Sequence, residues 1–228
     1  SSDVCSSDLL IPVLVIIIPF TALSINQNLD WKDNYTLYKA DIEKVPNSAR
    51  ARLFIGIEQL NQHYGTKDEK VLDEAINQMI KSTEIYPDFY HAYYNLGLAY
   101  QAKKDHKSAI EVFQKVLKIQ PTHINTHYYL GMSYGSGMGD TKKAIKFMEQ
   151  GIKYGYKGPD RYVNLGVAYG MSGNLKQAAY CFEKAIPENQ NNAQLYRNLA
   201  ITYNNLGDKN KASMYQQKET DLKNALNQ

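Results

Sequence analysis

A pattern of small and aromatic residues returns along this chain at a nearly constant interval, and this repetition limits the possible folds more than any other feature. Leucine followed by glycine or alanine begins at residues 96, 130, 165 and 199, at intervals of 34, 35 and 34 residues. A tyrosine lies four residues after each leucine, and an alanine follows, at Tyr100, Tyr134, Tyr169, Tyr203 and at Ala109, Ala144, Ala178, Ala212. Such periodicity predicts stacked copies of one small unit, because a single unit cannot bury its apolar face alone.

Further positions agree between the copies. Four residues after the alanine stand Phe113, Met148 and Phe182, although the last copy has Gln216, and Pro46, Pro87 and Pro121 close the early copies. This pattern resembles the tetratricopeptide repeat, whose units are pairs of antiparallel helices. The resemblance implies an all-α, right-handed solenoid of five units, at 49–89, 90–123, 124–158, 159–192 and 193–226. The glycines at 97, 131 and 166 would let the first helix of a unit approach the second closely, opposite the alanine.

Three departures from the repeat predict local irregularities. The first copy is longer around residues 63–70, so its helix ends or loop should be longer. The third copy holds one extra residue within 135–140. Pro187 arrives early in the fourth copy, where its second helix should stop short because proline cannot donate the helical hydrogen bond.

Residues 31–46 match the second helix of an incomplete unit, and this helix would cap the stack of repeats. The helix and the linker before it lie within residues 26–48. Either Asp33 or Asn34 is a candidate N-cap. This junction resembles that of the transmembrane and tetratricopeptide repeat-containing family, at Trp31, Asp33, Thr36, Leu37, Pro46, Asn47, Ala49 and Arg50. The resemblance implies a multi-span membrane glycosyltransferase with its repeats outside the cytosol. The acidic residues that such enzymes use lie in an early loop that this sequence does not contain, so no catalytic residue carries over.

The first 25 residues differ from the rest. Residues 1–8 resemble a translated sequencing adapter, the alternative being a short polar loop. Residues 9–25 carry no charge, and as a helix they would span about 25 Å, slightly less than a bilayer core of about 30 Å. We expect a truncated membrane helix there, with a signal peptide or a core strand as alternatives. The segment after it lacks the excess of Lys and Arg that is typical of cytoplasmic loops. This favours a location of the repeats outside the cytoplasm, in the periplasm or a lumen.

Charge and cysteine content exclude several classes of protein. The chain has 26 Lys and Arg against 23 Asp and Glu, a net charge of +3. Without Asp3 and Asp8 of the suspected adapter, 21 acidic residues remain and the net charge is +5, which still gives no nucleic-acid surface. Two cysteines exclude a disulfide scaffold. His123 and His127 lie four residues apart, but no third ligand is near, so no metal or cofactor is expected.

In repeats of this kind the first helix of each unit lines a concave groove, and here the groove positions are mainly apolar. The predicted peptide-binding residues are Tyr94, Asn95, Leu98, Tyr128, Met132, Val163, Asn164, Val167, Arg197 and Asn198. An apolar groove suits a peptide or helix with hydrophobic anchors. The aligned asparagines resemble a ladder that holds a peptide backbone, although asparagine is also a structural consensus residue there. Alternatively, these side chains pack on each other or on a membrane domain.

The leading function is therefore a protein- or peptide-binding module tethered to a membrane through residues 9–25. The alternative is the C-terminal tail of a membrane glycosyltransferase, in which the repeats recruit the protein acceptor. A plain assembly scaffold is a third interpretation. The sequence offers no catalytic residue of its own for any of them.

Overall fold

The computed structural model describes residues 33–226, and all regular secondary structure in that range is helical. It contains eleven α-helices and one short 3-10 helix, at Ile186–Glu188. The α-helices are α1 Asn34–Lys44, α2 Ala49–Thr66, α3 Glu69–Ile85, α4 Tyr90–Ala102, α5 His106–Ile119, α6 Ile124–Met138, α7 Thr141–Lys153, α8 Arg161–Met171, α9 Leu175–Ala185, α10 Ala193–Leu206 and α11 Lys209–Leu226. The all-helical repeat architecture predicted from the sequence is confirmed.

The chain divides into two compact units, which are described separately. The N-terminal unit ends at Pro87, and its described part holds α1 and the helix pair α2–α3, the first repeat. The C-terminal unit begins at Asp88 and holds four pairs, α4–α5, α6–α7, α8–α9 and α10–α11, which are the second to fifth repeats. Within each unit every helix packs against the next one along the chain.

The N-terminal unit begins with a capped helix. The Asp33 carboxylate accepts a hydrogen bond from the backbone N–H of Thr36 at 2.7 Å, and the Thr36 hydroxyl accepts one from the Asp33 N–H at 3.2 Å. This reciprocal pair satisfies donors that a helix start leaves free. Tyr38 of α1 stacks on Phe54 of α2, with ring centroids 4.7 Å apart. Asp33, rather than Asn34, is thus the N-cap of the helix within the predicted half-repeat.

Glycine allows the two helices of a repeat to lie close together. A β-carbon added at Gly97 would lie 2.3 Å from a Phe113 ring atom, and one at Gly166 would lie 2.6 Å from Phe182. The space is therefore used by the residue four positions after the repeated alanine, rather than by the alanine itself. At Gly131 the close neighbours are both Met148 and the Ala144 carbonyl, at 2.8 Å.

The tyrosines of the repeat join consecutive pairs in the C-terminal unit. The Tyr134 hydroxyl accepts a hydrogen bond from Gln114 at 3.0 Å, and the Tyr203 hydroxyl donates one to Glu183 at 2.6 Å. Tyr169 donates in the same way to Glu149. Each bond connects residues 20 apart, from a second helix to the next first helix. The periodic tyrosines thus fix the repeats relative to one another as well as filling space.

The irregularities of the sequence are visible in the helices. In the first repeat α2 has 18 residues and ends at Thr66, and the next residue, Lys67, caps it with a φ of 60°. In the third repeat α6 extends to Met138, and Gly139 ends it at a φ of 64°. In the fourth repeat α9 ends at Ala185, and Pro187 lies in the 3-10 helix that follows.

None of the helices described between residues 33 and 226 combines the length and the apolar content that a membrane span requires. The predicted membrane helix at 9–25 and the suspected adapter at 1–8 lie outside the described residues, as does Trp31.

Candidate peptide-binding face

The ten residues predicted to bind a peptide all lie on the first helices of the C-terminal unit. We call the surface that they mark on α4, α6, α8 and α10 the first-helix face. Its members differ widely in exposure, because neighbouring repeats cover some of them. Tyr94, Asn95, Leu98, Met132, Val163, Asn164 and Asn198 are half-buried, whereas Val167 and Arg197 are exposed and Tyr128 is buried.

At one end of the face, Tyr94 is surrounded by rings of the second and third repeats. Its ring centroid lies 5.0 Å from that of His123 and 6.3 Å from that of Tyr129. Gln101 of α4 ties the same helices together, because its side-chain amide donates to the Tyr129 carbonyl at 2.9 Å and to the Ser133 hydroxyl at 2.7 Å. This end of the face is a packed aromatic junction with a partly accessible Tyr94 ring.

Tyr128 occupies the equivalent position in the third repeat, yet only 2% of it is exposed. Its ring stacks on Tyr156 at a centroid distance of 3.9 Å, and Tyr156 comes from the segment between α7 and α8. Burial raises the pKa of the Tyr128 hydroxyl to about 12. Tyr128 therefore supports the face from behind rather than presenting its ring to a ligand.

The Tyr128 hydroxyl bridges two first helices. It donates to the Asp160 carbonyl at 3.4 Å and accepts from the Asn164 side-chain amide at 2.8 Å. In this arrangement the hydroxyl proton is directed to the Asp160 carbonyl, and the Asn164 NH2 group faces the hydroxyl oxygen. The Asn164 carbonyl oxygen forms no hydrogen bond to the described part of the chain. It remains available as an acceptor on the face.

The other two asparagines of the row are engaged differently. The Asn95 amide donates to the His91 carbonyl of its own helix at 2.8 Å. The Asn198 carbonyl oxygen accepts from the Gln194 side chain at 2.9 Å. The three asparagines share a register but have three different partners, so they do not form a uniform ladder.

A cavity of about 160 Å³ opens on this face between α6 and α8. Four apolar residues of the first helices line this cavity, and Asn164 lies among them. Its walls comprise Met132, Gly135, Ser136, Thr141, Met148, Asn164, Val167, Ala168 and Met171. Three predicted site residues thus come together around one cavity, namely Met132, Asn164 and Val167.

At the other end of the face the surface is polar. A second cavity of about 310 Å³ lies beside Arg197 and Ile201, and its other walls include Asn204, Lys209 and Gln216. Gln216 stands where earlier repeats have phenylalanine or methionine, so the last pair presents a polar surface here. Arg197 and Asn198 belong to this end and are not part of the cavity at Asn164.

Sequence reasoning missed two contributors to the site. Tyr156 lies in a non-repeating connection, and no periodic signal marks it as the residue that fills the space beside Tyr128. Met148 occupies a periodic position of the repeat and carries no separate signal of a ligand site, but it lines the cavity.

His123 has a structural role that the sequence pattern also missed. It is the N-cap of α6, and its Nδ1 accepts a hydrogen bond from the Thr126 backbone N–H at 3.3 Å. The His127 ring donates through Nε2 to the Pro121 carbonyl at 2.8 Å. Among residues 33–226, no cluster of three or more His, Cys, Asp or Glu side chains is arranged to hold a metal ion.

Comparison with known families agrees with this architecture. Models described as tetratricopeptide repeat match residues 90–123, 126–154 and 181–212. The chain contains tetratricopeptide repeats. The first match coincides with α4–α5 and the second falls on α6–α7. The third begins within α9, covers α10 and ends in α11, so it is out of step with the helix pairs. Tetratricopeptide repeats thus occur in the part of the chain that carries the first-helix face.

Among curated proteins the chain is similar to the protein O-mannosyl-transferase TMTC3 of Homo sapiens. The two are 22% identical over 212 residues, which are 87% of this chain and 22% of TMTC3. A tetratricopeptide repeat-containing protein of Methanocaldococcus jannaschii, MJ1428, is 26% identical over 158 residues, 69% of this chain and 26% of that protein. The chain spans about a fifth of the length of TMTC3 from human and mouse.

Solved structures show the same fold. MamA from Desulfovibrio magneticus RS-1 matches with a TM-score of 0.68 at 20% identity, over 85% of this chain and 97% of that one. YrrB, described as a tetratricopeptide repeat protein with an unusual peptide-binding site, matches with a TM-score of 0.67 at 20% identity, over 81% and 91%.

Proposed function

We propose that the first-helix face binds an extended peptide segment of a partner protein. The observation that carries this proposal is the cavity beside Asn164, where apolar walls adjoin a carbonyl oxygen with no partner in the described chain. Exposed apolar side chains extend the same face, with Val167 38%, Ile201 52% and Met171 61% exposed. Clefts that combine apolar walls with a few placed polar groups are typical ligand sites. The similar fold of YrrB, a tetratricopeptide repeat protein described as having an unusual peptide-binding site, supports the proposal.

Selection of peptides on the full chain tests this function. A display library of random twelve-residue peptides is enriched on the chain, and the affinities of selected peptides are measured by fluorescence titration. The double variant Val167→Asp with Ile201→Asp places two carboxylates on the first-helix face. We expect it to weaken binding at least tenfold, because apolar contacts are replaced by charges that must be desolvated.

The matched control carries the same substitution at two exposed methionines elsewhere, Met138→Asp with Met214→Asp. These residues are 57% and 54% exposed and line neither cavity of the first-helix face. The control should bind peptides within about twofold of the unchanged chain. Failure to enrich any peptide, or a loss that appears only in the control, would contradict the proposed function.

We further propose that residues 9–25 tether the module to a membrane, with the repeats on the extracytoplasmic side. The uncharged run and the absence of a basic flank after it support this arrangement. Retention of the expressed chain in membranes after alkaline carbonate extraction tests the tether. In a Cys5→Ser background, a cysteine introduced at exposed Met214 should react with an impermeant maleimide from the extracytoplasmic side only. Release by carbonate, or labelling from the cytosolic side, would contradict the respective half of this proposal.

The alternative function is that of an acceptor-recruiting tail in a multi-span membrane glycosyltransferase. Similarity to TMTC3 over 87% of this chain supports it, and so does the junction around Trp31 and Asp33. The reading frame upstream of residue 9 decides between the two. Several further spans with an acidic pair in the first extracytoplasmic loop would favour the enzyme, whereas a start codon immediately before residue 9 would exclude it.

A further inference from the structure

The first helices of the third and fourth repeats are joined by the Tyr128 hydroxyl of α6, which accepts a hydrogen bond from the Asn164 side-chain amide of α8 at 2.8 Å. The ring of Tyr156 stacks against Tyr128 at this junction. The cavity of about 160 Å³ lies in the space that remains between α6 and α8.

The chemistry of this cavity is that of an apolar side-chain pocket. Met132, Met148, Met171, Val167 and Ala168 supply most of its wall, and none of the residues lining it is charged. Methionine is unbranched and polarisable, so three methionines can adapt to bound groups of different shape. The pocket therefore favours an apolar guest and disfavours a charged one, which would lose its hydration without gaining a partner.

Its size limits the guest to one side chain. An enclosed apolar cavity of about 150 Å³ is known to take up a benzene molecule. A leucine, methionine or phenylalanine side chain is of that order, whereas two such side chains exceed it. The open side of the cavity, next to the exposed residues Val167 and Met171, gives such a side chain a way in.

The Asn164 carbonyl oxygen adds a requirement on the backbone of the ligand. Because Tyr128 holds the Asn164 NH2 group at 2.8 Å, the oxygen is directed away from that contact and is left to accept. A backbone N–H of an extended peptide is free to donate to it, whereas the N–H groups inside a helix are already bonded. An extended segment therefore fits this wall better than a helical one.

We infer that this cavity takes a single Leu, Met or Phe side chain of an extended peptide, whose nearby backbone N–H donates to the Asn164 carbonyl oxygen. The inference rests on the proposed peptide-binding function and assigns its specificity to the junction between the third and fourth repeats. A selected peptide should therefore contain one dominant apolar anchor, and replacing that anchor by alanine should weaken binding roughly 10- to 100-fold.

Two matched substitutions test the assignment on peptides selected from the random twelve-residue library. Val167→Phe places a large ring at the mouth of the cavity, whereas Met214→Phe adds the same ring at an exposed position that lines neither cavity of the first-helix face. We expect at least tenfold weaker binding for Val167→Phe and less than threefold change for Met214→Phe. Far-ultraviolet circular dichroism and a thermal melt establish that both variants are folded.

Met171→Ala provides a second test that does not depend on the first variant folding. Met171 is 61% exposed, so its truncation widens the cavity with little effect on packing, and it should shift the preferred anchor toward phenylalanine. The inference alone would be overturned if peptides bind the unchanged chain, lose affinity equally in Val167→Phe and Met214→Phe, and keep the same preferred anchor in Met171→Ala. If no peptide binds the unchanged chain, the proposed function fails and the inference fails with it.

Discussion

At the scale of single residues, the Tyr128 hydroxyl connects the packing of the repeats with the chemistry of the face. It spans α6 and α8 through Asp160 and Asn164, and it thereby fixes which end of the Asn164 amide faces outward. The same position in successive repeats holds Tyr94, Tyr128 and Val163, so periodicity alone predicts the same environment for these three residues. The difference arises from Tyr156, a residue distant in sequence that covers Tyr128 and lies outside the periodic pattern.

Removing only this hydroxyl should have two measurable effects. Tyr128→Phe keeps the stack on Tyr156 but leaves Asn164 without its partner, so we expect a loss of about 1 kcal/mol in the free energy of unfolding. Peptide affinity should also fall, because the Asn164 amide becomes free to rotate. Urea denaturation measures the first effect and titration the second. Tyr35→Phe is the control, since the Tyr35 hydroxyl forms no hydrogen bond to the described residues. Equal effects of the two variants would contradict this role of Tyr128.

His123 makes the stability of the third repeat sensitive to acid. Burial, together with the nearby His91 and His127, lowers the pKa of His123 from its ordinary value near 6.5. Because the folded protein binds this proton less readily than the unfolded chain, the stabilising contribution is present above pH 6.5 and is lost as the pH falls below that value. Protonation also removes the Nδ1 acceptor that caps α6.

The variant His123→Ser tests this sensitivity, because serine retains a capping acceptor but does not titrate. We expect its urea midpoint to fall less than that of the unchanged chain between pH 7.5 and pH 5.5. Parallel pH profiles for the two proteins would show that His123 does not carry the effect.

At the scale of helices, most of the architecture follows from the sequence, because the same few contacts are repeated. The interval of 34 residues predicts the helix pairs, Pro187 predicts the short α9, and Asp33 is one of the two N-caps that were expected. The arrangement of the site follows less directly. The environment of Tyr128 depends on where Tyr156 packs, and Tyr156 comes from a connection that no periodic pattern marks.

Close packing of the two helices in a repeat predicts opposite outcomes for one substitution at two glycines. Gly97→Ala should destabilise the chain by about 1–3 kcal/mol, because the added methyl group meets the buried Phe113 ring. Gly170→Ala should be neutral or slightly stabilising, since its nearest neighbour, the Ala178 β-carbon, would be 3.9 Å away and alanine favours a helix. Urea unfolding of both variants measures the difference. A similar loss at both positions would contradict this account of the helix crossing.

At the scale of the whole molecule, a solenoid distributes its stability over neighbouring pairs, so one altered junction can acquire a function without disturbing the others. The junction between the third and fourth repeats is such a place. It lies within the C-terminal unit, and tetratricopeptide repeat matches cover residues on both sides of it, at 126–154 and 181–212. The peptide site proposed for the chain thus combines the repeated positions of Met132, Asn164 and Val167 with a neighbouring stack on Tyr156, which lies outside the repeat.

The most direct test of this account uses the six methionines as probes. Their ε-methyl groups are labelled with carbon-13, and their resonances are followed by NMR while a selected peptide is added. We predict that the resonances of Met132, Met148 and Met171 shift with a common saturation curve, because these side chains line the cavity. Those of Met79, Met138 and Met214 should stay in place. Shifts confined to Met138 or Met214, with the three cavity methionines unchanged, would contradict the central claim.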